Sequence, residues 1–157
     1  MWPASRSTSF SERRMGIHIH SVLAAAAIAL AMSGNASAEL VVIVSARSPA
    51  PALSGDQVAA IFLGQAGRFP DGLEVVALDQ RIGSPERNQF YQQVTGKSPA
   101  LLKAHWSKLV FTGRGQPPRE AADGTAVRRM VADNPSMIGY IDRAALDSSV
   151  RPVLVLR

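Results

Sequence analysis

Short apolar strands alternating with amphipathic helices predict an α/β protein, a mostly parallel sheet layered between helices. Three observations carry that expectation. Leu40 to Val44 (LVVIV) is an unbroken apolar run, as expected of a central strand covered on both faces. Glu74 to Leu78 is a second apolar, β-branched run, bounded by Asp71-Gly72 before it and Asp79-Gln80 after it. Between these strands and before the next, helix start signals recur at Ser54, Ser84, Ser98 and Asp123, each a small polar cap just ahead of a periodic apolar pattern.

In chain order, Ser48-Pro-Ala-Pro-Ala52 breaks the first strand, and Ser54 with Gln57 three residues on forms a capping-box pattern. A short helix through Val58, Ile61 and Phe62 follows, ended by Gly64. Gln65 to Gly72 is turn-rich, and the strand from Glu74 leads to a turn at Gly83. Ser84 is a good N-cap and Pro85 suits the first helical position, so a helix is expected from Pro85 to about Val94. Gly96 closes it. Ser98-Pro99 repeats the cap-then-proline chemistry and opens a third helix to about Val110, with Leu102, Trp106 and Leu109 on one face. Trp106 and Phe111 are expected in the core. Thr112 to Pro118 (TGRGQPP) is an exposed loop, because its glycines and prolines suit neither helix nor inner strand. Asp123 to Asn134 is a fourth amphipathic helix, and Met137 to Ile141 and Val153 to Leu156 are the last strands.

The first 38 residues read as a signal peptide. Arg13-Arg14 is a positive n-region, Ser21 to Met32 an apolar core of 12 residues, and Ala36-Ser37-Ala38 a small-x-small cleavage site. Twelve residues fall well short of the roughly 20 that span a bilayer, so cleavage rather than anchoring is expected, with no stable membrane insertion afterwards. Residues 39–157 then form one exported, periplasmic domain, long enough to bury roughly two-thirds of its unfolded surface. There is no cysteine, so no disulfide staples it. His18 and His20 lie in the leader, which leaves His105 alone and excludes zinc sites built on Cys and His clusters.

Beyond the leader, 14 Lys and Arg stand against 11 Asp and Glu, a net of +3. The lysines are scattered and no basic stripe with interleaved aromatics is visible, so no nucleic acid is expected. A mild preference for small anions is what this balance supports. A Ser84–His105–Asp triad lacks the G-x-S-x-G context of a nucleophile elbow, and Gly113-Arg-Gly115 lacks the ending of a phosphate-binding P-loop. No enzyme activity and no cofactor are expected. The strand, glycine turn and capped helix from Glu74 to Tyr91 instead favour anions, because free N–H groups and the helix dipole point outward at the helix start. Arg81 and Arg87 flank that spot. The same residues also describe an ordinary strand-to-helix connection, with Ser84 acting as a cap.

The order of Val58-Ala-Ala-Ile-Phe-Leu-Gly64, Phe69-Pro-Asp-Gly72, Val75 to Ser84, Phe90 and Ile138-Gly-Tyr140 resembles type 2 periplasmic binding proteins. Within them it is most similar to the phosphate-binding components of ABC transporters. The resemblance implies a single three-layer lobe, since 119 residues suffice for only one of the usual two. It also implies a small oxyanion such as phosphate as ligand, bound non-covalently and without metal, with Gly83 and Ser84 matching the family turn; Arg81 and Arg87 beside that turn, and Arg114 in the exposed loop, are the candidate cations from the residues themselves. Two positions depart from the family pattern. Gln80 stands where the family has arginine, and Pro85-Glu86 stands where Gly-Thr follows the serine. Glu86 would repel an anion there, so the alternative expectation is an accessory module that has lost ligand binding and pairs with itself or with a membrane protein.

Overall fold

The computed structural model describes residues 38–157, and the signal-peptide reading falls almost wholly outside them. Five strands and four helices follow in the order β1 (Leu40–Ser45), α1 (Gly55–Phe62), β2 (Val76–Gln80), α2 (Pro85–Thr95), α3 (Pro99–Phe111), β3 (Arg119–Ala121), α4 (Gly124–Asp133), β4 (Met137–Asp142) and β5 (Val150–Val155). A short 3-10 turn, Arg143–Ala145, links the last two strands. The strands form one sheet in the order β3-β2-β4-β1-β5.

The sheet is mixed rather than mostly parallel. β2 runs parallel to both β3 and β4, whereas β1 runs antiparallel to both β4 and β5. Helical crossovers enforce parallel pairing around β2. β4 and β5 are joined by residues 143–149, which include the 3-10 turn and no crossover helix, and they lie against opposite edges of β1. The apolar run Leu40 to Val44 is central as expected, with every residue of β1 fully buried.

Alternation along β1 and β4 divides the core into two layers. Val42, Val44, Ile138 and Tyr140 face α1, α2 and α3, where Val58, Phe62, Phe90, Tyr91, Leu102 and Trp106 meet them. Val41, Ile43 and Ile141 face α4, which contributes Val127 and Val131. The aromatic cluster on the first face is ordered by ring geometry: Phe90 stacks on Tyr140 with centroids 3.8 Å apart, and Phe62 meets Phe90 edge-on at 4.7 Å.

Gly139 lets α4 lie flat on the sheet, for a Cβ there would overlap Cγ1 of Val127. Gly139→Ala is therefore expected to cost about 1–3 kcal/mol, the usual penalty for overpacking, read as a lowered urea midpoint at unchanged slope.

The helix caps fall where the sequence puts them. Ser54 and Gln57 make the reciprocal capping box, at 3.2 and 2.9 Å. Ser84 and Ser98 each accept from the backbone N–H three residues on, and Gly96 ends α2 in the left-handed region. Phe111 differs from expectation. It is 93% exposed, because nine residues after Leu102 the helical rotation carries it to the opposite face of α3. β3 is also new, a three-residue edge strand directly after the glycine- and proline-rich loop.

Candidate functional site

β2 is displaced two residues from the expected strand, and this places Asp79 and Gln80 inside it, both 4% exposed. Burying a carboxylate is costly unless donors surround it. Asp79 has them: Arg87 Nε at 2.8 Å, the Tyr91 hydroxyl at 3.0 Å, the Tyr140 hydroxyl at 2.5 Å and the Gln80 N–H at 2.9 Å. The Gln80 side chain donates to the Tyr140 carbonyl at 3.0 Å, just beyond the last backbone pair of β2 with β4. Side chains thus join the two strands where their ladder has stopped.

Burial on its own would lower the Arg87 pKa, but the Asp79 charge and hydrogen bond outweigh it and hold Arg87 above its ordinary value. Burial first, and then Asp79, push both Tyr91 and Tyr140 well above the usual tyrosine range. All three groups are therefore locked in their protonated forms around a single carboxylate.

Two concavities flank the β2–α2 turn. The first is a polar cleft of about 500 Å³ at the carboxyl ends of β2 and β3. It is bordered by Arg81 to Glu86 on one side and by Ala122, Asp123 and Gly124 on the other, so the starts of α2 and α4 both open onto it. In open α/β sheets this end of the strands is the general ligand position. The N–H groups of Ile82, Gly83, Glu86, Gly124 and Thr125 have no partner among the described residues; Pro85 has none to offer, and those of Arg87 and Ala126 are taken by the caps Ser84 and Asp123. Gly83 takes φ +87°, which a side chain would strain. Arg81 and Gly83 are exposed and Ser84 is half-buried, so the turn is open to water. Glu86 and Asp123 also border the cleft, leaving Arg81 as its one cation among the lining residues. Asp123 is occupied as the α4 cap, accepting the Ala126 N–H at 2.8 Å.

Arg87 and Arg114 are not brought into this cleft. The side chain of Arg87 turns inward to Asp79, and its open side borders the second concavity, an apolar groove of about 650 Å³ between α2 and α3. Arg114 is exposed in its loop and borders neither. His105 is half-buried and donates from Nε2 to the Leu63 carbonyl at 2.9 Å, apart from Ser84. Asp79 reads from sequence as a strand boundary and is instead the centre of this network; the one signal for it in the chain is an acid eight residues before an arginine across a capped turn.

No family model matches the chain, and no curated protein does. Solved structures do. A phosphate ABC transporter substrate-binding protein from Clostridium perfringens, crystallised with bound phosphate, aligns with a TM-score of 0.58 at 21% identity over 73% of this chain. An ABC-type phosphate transport receptor from Vibrio cholerae gives 0.58 at 17% identity over 73%, and PstS from Borrelia burgdorferi 0.56 at 12% over 76%. The chain shares its fold with part of each of these three proteins. The chain spans less than half of each of these proteins, 44%, 45% and 46% of their lengths. The binding-protein resemblance read from the motif order is thus borne out at the level of fold. The mostly parallel sheet is so only around β2. Among the described residues, no helix is long and apolar enough to cross a membrane.

Proposed function

We propose that residues 39–157 act as an exported, periplasmic binding module that holds a small oxyanion such as phosphate in the cleft at the ends of β2 and β3. The observation that carries this reading is the opening of two helix starts, α2 and α4, onto one water-accessible cleft beside Arg81. The anion would accept from the N–H groups of the Gly83 turn and from those of Glu86, Gly124 and Thr125 in the two first helical turns, with Ser84 fixing the turn and Arg81 supplying charge. Binding is non-covalent and calls for no cofactor. The phosphate bound to the Clostridium perfringens relative supports the ligand class.

A second reading, an accessory module without ligand, is favoured by one feature: Glu86 and Asp123 oppose Arg81 in the cleft while Arg87 is spent on Asp79. Thermal shift with phosphate, sulfate and molybdate separates the two. Ligand at 100 times its Kd should stabilise by about 2.7 kcal/mol. Arg81→Ala should weaken the shift by about tenfold in apparent Kd, and Glu86→Thr together with Pro85→Gly should strengthen it. Absence of any shift, with a dimer in solution, would decide for the accessory module.

A further inference from the structure

We propose that the groove between α2 and α3 is a separate binding site for a small amphipathic anion, an apolar chain or ring bearing one acidic group. Its volume, about 650 Å³, lies within the range of small-molecule pockets, and its lining is apolar with a few polar groups. Leu102 and Trp106 are buried in its lining, and Ile82 and Val110, 73% and 45% exposed, present apolar surface to water along it. An apolar ligand body would remove that surface from solvent.

The polar groups define the rest of the ligand. Arg87 and Lys103 line the groove and no Asp or Glu does. Arg87 is 8% exposed and fixed from behind, by Nε on Asp79 and by its guanidinium 5.0 Å from the centre of the Tyr91 ring. Among the described residues neither terminal nitrogen of Arg87 has a hydrogen-bond partner, so both are available. A guanidinium held this way offers a preorganised fork to a carboxylate, at little further loss of side-chain freedom. Trp106, 7% exposed, has a buried indole N–H with no partner among the described residues. The site does not depend on the oxyanion reading, although Ile82 and Gly83 border both concavities.

Decanoate is a suitable probe. In the full chain carrying Trp2→Phe, Trp106 is the sole indole, so its fluorescence and its indole N–H resonance report on the groove directly. Saturable changes in both are expected on titration with decanoate, and decanol should bind about tenfold more weakly. Lys103→Glu, at an exposed position, should weaken decanoate by about tenfold, and Ser107→Phe should fill the groove and abolish binding with the circular dichroism unchanged. Phosphate should not compete. Equal binding of decanol and decanoate, no saturable change, or an unaltered Ser107→Phe variant would each overturn the proposal. So would a dimer that Ser107→Phe dissociates, since the groove would then be covered by a second copy. Decanoate binding without any phosphate response would sink the oxyanion reading and leave this one standing.

Discussion

Asp79→Ala is expected to lower folding stability by about 3 kcal/mol, the low end of the 3–5 kcal/mol that follows when one member of a buried ion pair is removed. The low end applies because the terminal nitrogens of Arg87 reach the groove and can be solvated there. The loss is large against the 5–15 kcal/mol total of an ordinary domain. It arises less from the missing attraction than from what remains: a guanidinium and two tyrosine hydroxyls facing a space without an acceptor. Adding Arg87→Met should therefore recover a good part of the stability, since an apolar pair of similar bulk needs no acceptor. Urea denaturation of the single and double variants reads both numbers. A single-variant loss under about 1 kcal/mol, or a double variant no more stable than the single, would show that the carboxylate is not the hub of this network.

The second large effect is alkaline. Tyr91 and Tyr140 have folded pKa values raised above their ordinary value near 10, by burial first and by Asp79 second. Their contribution to stability is complete below about pH 10. Above it the unfolded chain loses its tyrosine protons while the folded chain keeps them, so unfolding releases protons and stability falls as pH rises. With both tyrosines contributing, the slope approaches about 2.7 kcal/mol per pH unit, since each proton is worth about 1.36 kcal/mol per unit. Tyr140→Phe should halve that slope while also costing a hydrogen bond at neutral pH. Urea midpoints measured between pH 9 and 11 test this, and a slope that Tyr140→Phe leaves untouched would assign the alkaline loss to other groups.

Asp79 also explains why the two cation sites anticipated beside Ser84 behave differently. Arg81 precedes the turn on an exposed stretch and stays at the cleft, whereas Arg87, one helical turn into α2, rotates toward the sheet and finds a carboxylate waiting. The protein supplies its own anion to that arginine. The cleft is left with a single cation opposed by Glu86 and Asp123, and any oxyanion bound there relies chiefly on backbone N–H groups.

Local chemistry was sufficient to place the helices and the central strand from sequence. The capping pairs Ser54–Gln57, Ser84–Arg87 N–H and Ser98–Leu101 N–H each act over three residues, and the apolar run of β1 needs no partner to be recognised as buried. Strand direction and the fate of Asp79 lay beyond it. Antiparallel pairing of β1 with β4 and β5 joins residues about a hundred positions apart, and the Tyr140 hydroxyl that makes Asp79 tolerable inside the sheet is 61 residues away. An aspartate after an apolar run reads as a strand end because burial of its charge is costly, and only donors gathered from α2 and β4 reverse that cost. The sequence alone determined where helices begin and which strand is central, since those outcomes depend on neighbours in the chain. Which arginine faces the cleft and which is sealed against the sheet was decided by tertiary contact, because a buried charge is stabilised only by groups that folding brings to it.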